Sequence, residues 1–255
     1  MNAEQVLPFV SKGCITWTMT TIGYVKYTLN LVRWLQRARV PWTLCIICCD
    51  PESEVFFRRE QIPCVQWKGG KRRMRTQDGM AAFGTPSFEV CNREKLDILK
   101  WFALNYSAGI QQSLYLDGDI VIQKDPWPLL PSPDSSCHLA FQCDCSHEEE
   151  DHECASPCSG VIWTRHVSLS QAAIYEIDEE LWKAAGSMDQ YYLMKTLAAT
   201  QTPYKILDRR QFGNGVWQKT GRWKDDNWTL LHYNYMVSGS KRTAMKNAGH
   251  WLINH

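Results

Sequence analysis

No apolar run in the sequence approaches the roughly 20 residues that a membrane-spanning helix needs. Neither sign of charge is in excess, with 28 Lys+Arg against 27 Asp+Glu and a net charge of +1. That balance excludes recognition of nucleic acid by bulk positive charge. Disorder is excluded by composition, 44% hydrophobic and 22% charged. No internal repeat and no Pro/Gly/Ser-rich linker divides the chain, so one domain over residues 1–255 is expected. The opening MNAEQVLPFVSKG lacks a basic start followed by an apolar stretch, so no signal peptide is expected.

Tryptophan and cysteine are abundant instead, at 12 and 11 residues. Cys45, Cys48 and Cys49 sit in the apolar run WTLCIICCD, where a free thiol behaves as a small buried hydrophobe. The odd count and the missing export signal favour a reducing, cytoplasmic setting. Two sequons, at Asn105 and Asn227, point the other way. Cys143, Cys145, Cys154 and Cys158 accompany His147 and His152 in CDCSHEEEDHECASPC. That group admits a zinc reading beside the plainer one of an acidic loop near an acceptor.

The first half alternates strand and helix signals. CITWTMT (Cys14 to Thr20) reads as a strand, and Gly23 to Arg37 as a helix with Val25, Leu29, Val32 and Leu35 at helical spacing. PWTLCIICCD reads as a strand buried on both faces, followed by a short helix near Ser53 to Glu60 and a strand CVQW. This order predicts an α/β fold with a Rossmann-like sheet and helices on both faces. Ligands then sit at the carboxyl ends of the strands, which nominates Thr18, Thr20, Thr21 and Asp50. The basic stretch Lys68 to Gly79 reads as a solvated loop or as a lid over an anionic ligand.

A long helix is expected from Asn92 to Tyr106, leading into LYLDGDIVIQKDPW. There an apolar strand delivers Asp117 and Asp119 at its carboxyl end, and Gly118 between them permits a tight turn. Two hard oxygen ligands suit Mn²⁺ or Mg²⁺, which commonly keep substrate phosphate in their remaining positions. The second half is less regular. It offers strands at LAFQ and GVIW, helices at Leu169–Ile177, Asp189–Leu197 and about Lys241 to Ala248, and strand fragments near Lys205–Leu207 and Thr229–Leu231.

LYLDGDIVIQKDPW resembles the D-x-D segment of GT-A glycosyltransferases that use nucleotide-diphospho-sugars. FEVCNREKLDILKWFAL, CSGVIW, MDQYYL, FGNGVW and HYNYMVSGSKRTAMKNAGHW follow the family's order. Together they are similar to the nucleotide-diphospho-sugar transferase family, which includes plant rhamnogalacturonan xylosyltransferases. The short form also resembles glycosyltransferases of large algal viruses, which implies a virus-encoded enzyme in a host cytoplasm. The resemblance implies a GT-A fold with a nucleotide-binding half to about residue 125 and an acceptor-binding half beyond it.

The resemblance also assigns roles. Asp117 and Asp119 would reach the metal and the donor ribose, with His232 as third ligand through a neutral imidazole. Gly239 and Lys241 would approach the diphosphate, although they lie further from His232 than in glycogenin-like sequences. Thr18, Tyr24, Asp50 and Lys95 would form the nucleoside pocket with Gly118. Ser159, Gly160, Asp189 and Gln190 would face the sugar, with Asp189 and Gln190 closest to the chemistry. A carboxylate such as Asp189, or one in the Asp144–Asp151 stretch, would serve an oxocarbenium-like sugar or deprotonate an acceptor hydroxyl. The implied partners are a UDP-sugar, with xylose the first candidate, and a carbohydrate or glycoprotein acceptor.

Structural readings stand beside these. His232 follows two leucines and fits a core histidine, Asp189 fits a helix N-terminal charge, Lys241 a solvated helix residue and Asp50 a helix cap. Trp163, Trp217, Trp223 and Trp251 are expected to wall an acceptor cleft. Two other functions use related features: a metal-dependent nucleotidyltransferase or nucleotide-sugar hydrolase, and a non-enzymatic carbohydrate-binding module.

Overall fold

A computed structural model describes residues 1–69, 84–105, 109–132, 135–146, 156–224, 227–236 and 238–253. Most of the basic stretch after Lys68 lies outside these residues, as do His147, Cys154 and the Glu148–Asp151 run.

The strands are β1 (Cys14–Thr20), β2 (Leu44–Cys48), β3 (Cys64–Gln66), β4 (Gln112–Leu116), β5 (Ile120–Ile122), β6 (Leu139–Cys143), β7 (Pro157–Arg165), β8 (Lys205–Ile206), β9 (Phe212–Gly213) and β10 (Leu230–His232). A seven-stranded sheet has the order β3-β2-β1-β4-β7-β6-β8. Its first four strands are mutually parallel, and β7 runs antiparallel between β4 and β6. A smaller sheet, β5-β10-β9, hangs from the turn after β4.

The helices are α1 (Ala3–Val6), α2 (Val25–Ala38), α3 (Pro51–Arg59), α4 (Pro86–Leu104), α5 (Leu169–Ala172), α6 (Glu179–Ala184), α7 (Asp189–Thr200), α8 (Gly215–Thr220) and α9 (Ser238–Asn247). Caps explain where the main ones start. Asp50 accepts from the Ser53 amide at 2.7 Å with Pro51 behind it, and Thr85 accepts from Phe88 with Pro86 behind it. The Thr85–Pro86 cap starts α4 six residues before the predicted Asn92.

Alternation along β2 shows how the layers form. Cys45 and Ile47 join a core with Phe102, Leu193 and Leu197 from α4 and α7. Leu44, Ile46 and Cys48 join another with Leu29, Leu35 and Phe57 from α2 and α3. Both faces of the sheet are therefore covered, and β2 and β4 are buried at every position. Among the described residues no helix is long and apolar enough to cross a membrane.

Two local features position the site. Phe141 pairs with Ile162 whereas Gln142 pairs with Cys158, so Ser159, Gly160 and Val161 have no opposite number on β6. Such a bulge bends the strand and re-aims its side chains. Separately, α9 is tied down beyond its last turn. The His250 carbonyl accepts from Asn30 Nδ2 and Trp34 Nε1 of α2, both at 2.9 Å, and the Leu252 amide donates to Asn30 Oδ1.

Among the described residues nine cysteines are free, including Cys145 and Cys158, but Cys143 is disulfide-bonded. A disulfide sulfur is not a thiolate ligand, which counts against zinc at Cys143.

Candidate active site

Strand β4 ends at Leu116, and the chain turns through Asp117, Gly118 and Asp119 before β5 leaves for the smaller sheet. That turn forms the floor of a cleft of about 690 Å³. His232 is the last residue of β10 and pairs with Ile120 in register, which sets it beside Asp119. The Tyr233 amide donates to the Asp119 carbonyl at 3.3 Å and closes the pair. The antiparallel ladder is thus the physical link between the D-x-D turn and a histidine far away in sequence.

His232 Nε2 lies 3.4 Å from Asp119 Oδ1 and 3.5 Å from Asp117 Oδ2. The three side chains offer ligand atoms all within 4.8 Å of one another. Asp119 Oδ1 is buried and accepts no hydrogen bond. Two carboxylates, an imidazole and an unsatisfied buried oxygen fit a small divalent cation such as Mn²⁺ or Mg²⁺.

Gly160 makes this cluster possible. A Cβ there would stand 2.0 Å from His232 Cε1 and 2.9 Å from Asp117 Oδ2. Its carbonyl also accepts from the Asp117 amide at 2.8 Å, which locks the bulge to the turn. Gly118 is similarly constrained, since a Cβ would come within 2.8 Å of Thr28 Oγ1 and 3.0 Å of the Tyr24 ring.

Two buried lysines flank the carboxylates. Lys241 donates to Asp119 Oδ2 and lies 3.5 Å from the Tyr24 hydroxyl. Lys95 reaches Asp189 Oδ2 at 2.8 Å, Asp117 Oδ1 at 3.6 Å and Ser159 Oγ at 3.3 Å, and stands 4.5 Å over the Tyr115 ring. Burial by itself lowers a lysine pKa, but here the carboxylates outweigh it and both lysines are held above their ordinary value. Burial would raise the Asp119 pKa, yet Lys241 and then His232 hold that carboxyl well below the usual range. Burial would likewise lower the His232 pKa, but Asp119 prevails and pushes it up to about 10.

Beyond Lys95 the wall changes character. Asp189 opens α7 and is buried. Gln190 accepts from the Ser159 amide at 3.2 Å and donates to Asp144 Oδ2 at 2.6 Å. Asp144 also accepts from Asn234 Nδ2 at 3.2 Å and from the Tyr235 hydroxyl at 2.8 Å. The rim is completed by Tyr191, Tyr235, Met188 and Met236.

Tyr24, Lys95, Asp117, Gly118, Asp119, Ser159, Gly160, Asp189, Gln190, His232 and Lys241 therefore meet in one cleft. Thr18, Asp50 and Gly239 do not line it. Thr18 lies two residues short of the strand end, buried, while Thr20 and Thr21 reach the cleft. Asp50 is occupied at both oxygens, by the Ser53 and Ile22 amides. Gly239 is exposed in the first turn of α9, with nothing within 4 Å of where a Cβ would stand.

The tryptophan expectation is corrected as well. Trp163 and Trp217 are buried in the cores, Trp223 packs edge-on against His250 and Trp251 against Tyr27. None of the four lines the cleft, and its aromatic surfaces are Tyr24, Phe88, Tyr115, Tyr191 and Tyr235. The reading missed Tyr115, whose hydroxyl donates to Asp117 Oδ1, and Asn234. Tyr115 carried a signal, since residues i and i+2 of a strand share a face.

Solved structures resemble this fold. The glycosyltransferase GlyE of Streptococcus pneumoniae TIGR4 matches with a TM-score of 0.57 and 13% identity over 94% of this chain. This chain spans only 61% of GlyE. A glycosyltransferase involved in glycosylation of the major capsid of PBCV-1 matches at 0.52 and 13% identity, covering 92% of this chain and 99% of that one. Galactosyltransferase LgtC, solved with donor and acceptor sugar analogs, matches at 0.54 and 11% identity over 94% and 97%. At these identities the likeness shows the fold, which is GT-A. No curated protein matches in sequence. The family model for nucleotide-diphospho-sugar transferases matches residues 43–245, a span that holds the D-x-D turn, His232 and Lys241. By that match over most of its length, the chain belongs to the nucleotide-diphospho-sugar transferase family.

Proposed function

We propose that this protein is a metal-dependent glycosyltransferase that moves a sugar from a UDP-sugar to a hydroxyl of a glycan acceptor. The observation that carries the reading is the convergence, in one cleft, of the Asp117–Asp119–His232 cluster with Lys95, Lys241 and Asp189. The whole chain acts as one transferase domain, with the nucleoside bound by the first half and the acceptor by the second.

Asp117, Asp119 and His232 hold a divalent cation, Mn²⁺ before Mg²⁺, which when bound neutralises charge on the leaving diphosphate. Lys241 exchanges its contact with Asp119 for the diphosphate and adds a second positive charge there. Tyr24 packs beside the nucleotide. Lys95 keeps Asp189 ionised and oriented toward the sugar, where a carboxylate stabilises an oxocarbenium-like centre. Ser159, Gly160, Gln190 and Asp144 present hydrogen-bonding groups to the sugar. Tyr191 and Tyr235 offer exposed ring faces for an acceptor pyranose.

Thermal shift with a panel of UDP-sugars, UDP-xylose first, with and without Mn²⁺, tests the reading. A donor at about 100 times its Kd stabilises by about 2.7 kcal/mol. The shift should need Mn²⁺ and disappear in Asp119→Ala. Absence of a shift with every UDP-sugar plus Mn²⁺ sinks the proposal. Pyrophosphate release from a nucleoside triphosphate would instead identify a nucleotidyltransferase, release of free sugar without an acceptor a hydrolase, and EDTA-insensitive glycan binding a non-enzymatic module.

A further inference from the structure

Gln142 lies outside the cleft lining and is fully buried, one polar side chain in the otherwise apolar strand Leu-Ala-Phe-Gln-Cys. Its Nε2 is 2.7 Å from the Gly213 carbonyl oxygen and 3.2 Å from that of Phe212. Its Oε1 is 2.9 Å from His232 Nδ1. Which way this amide points follows from chemistry. A carbonyl oxygen only accepts, so the two carbonyls require the NH₂ end, and the reversed amide would set oxygen against two oxygens. The end left for His232 is therefore an acceptor, and Nδ1 must carry a proton to meet it. The other group within reach of Nδ1 is the Cys158 sulfur at 3.7 Å, a weaker acceptor.

We propose that Gln142 is a positioning residue for the metal site: it fixes His232 as the Nδ1–H tautomer, so that the Nε2 lone pair faces Asp117 and Asp119. This rests on the reading of Asp117, Asp119 and His232 as ligands. A neutral imidazole has one lone pair, and an unguided ring would divide between two tautomers, of which one presents N–H to the cation. Gln142 settles which nitrogen keeps its proton when the cation binds. Its own orientation is set by β9, the neighbour of β10 in the smaller sheet, so the histidine and its guide are referenced to one ladder. The bulge opposite Gln142 is part of the device, because the slip in register pairs Gln142 with Cys158, level with the cleft.

Two measurements test this. Long-range ¹H–¹⁵N correlation spectra of the Mg²⁺-loaded protein, with the His232 ring assigned by its loss in His232→Asn, should show a protonated Nδ1 and a coordinated Nε2. Titration of Mn²⁺ by calorimetry should show the Kd of folded Gln142→Leu raised about 10- to 100-fold. Gln142→Glu, which keeps an acceptor opposite Nδ1, should fall between Gln142→Leu and the parent. A proton on Nε2 in the loaded parent overturns the inference, even if Gln142→Leu fails to fold. So does a folded Gln142→Leu whose Mn²⁺ Kd lies within about twofold of the parent, against the loss expected for an orienting partner. Failure of the parent to bind either cation overturns the metal reading itself, and is distinguishable because it appears before any variant is made.

Discussion

At the carboxylate end of the cleft Asp119, His232, Lys95 and Lys241 are all buried, and each is held by an opposite charge or a strand ladder. At the opposite end Tyr191 and Tyr235 are 48% and 42% exposed, and Asp144 is held by side chains from two separate segments, Gln190 of α7 and Asn234 with Tyr235 after β10. The first region confines charge where water is excluded, so each group there depends on the others and changes should propagate. The second makes neutral or partly solvated contacts that are individually weak, so changes there should stay local.

Asp119→Ala should break the buried end most severely. It removes a metal ligand and leaves Lys241 and His232 uncompensated, so turnover should fall by about 10³-fold or more. Loss of one member of a buried pair should also destabilise the metal-free protein by about 3–5 kcal/mol. Initial rates and urea denaturation check both effects, and a variant of near-parental activity would contradict the division into two regions.

Gly160→Ala comes next. A methyl that would meet His232 Cε1 at 2.0 Å must displace the ring. Overpacking should cost about 1–3 kcal/mol of stability. Mn²⁺ affinity should drop about tenfold or more as the histidine leaves its place. Calorimetry on the variant tests this, and an unchanged Kd would show that His232 tolerates displacement.

The protonation of His232 gives a third, graded test. Its folded pKa, about 10, exceeds the ordinary 6.5. The charged ring therefore contributes its full stability below pH 6.5 and loses it as pH rises through about 10. The metal-free protein should lose thermal midpoint across that window, and His232→Asn should lose this slope. Mn²⁺ must displace the same proton, so its affinity should rise with pH over the same interval. Affinity independent of pH would remove His232 from the ligand set.

The smallest effect belongs to the exposed end. Tyr235→Phe deletes the hydroxyl that donates to Asp144 and should cost about 0.5–1.5 kcal/mol of stability. The acceptor KM should rise only a few-fold, on the order of one lost hydrogen bond, with donor KM and kcat little changed. An effect as large as that of Gly160→Ala would erase the contrast between floor and rim.

Much of the first half was legible in the sequence. β1 occupies the predicted Cys14–Thr20, because a β-branched and aromatic run suits a strand buried among neighbours. The D-x-D turn was legible because an apolar strand ending in two carboxylates has few structural uses. The second half was harder. β9 has two residues, one of them glycine, and α8 has six, so neither carries a period. Sequence alone left His232 with its core-histidine reading open, and the register of β10 against β5 is what brings it to Asp119. Tryptophans near the late motifs suggested a sugar platform, but Trp163 and Trp217 are buried, Trp223 and Trp251 pack against a core, and the half-exposed tyrosines take the cleft. Gln142 showed one sign in advance, a lone amide in an apolar strand, yet no pattern said which partner it would meet.

The anchoring of His250 and Leu252 to α2 gives α9 the mechanics of a lever. Its pivot is the Asn30–Trp34 clamp, and its working arm carries Lys241 to the floor of the cleft. The positive charge that Lys241 brings to Asp119 is thereby geared to packing at the far end of the helix. Loosening a hydrogen bond to the His250 carbonyl would shift Lys241 at the cleft floor while every side chain there kept its chemical identity.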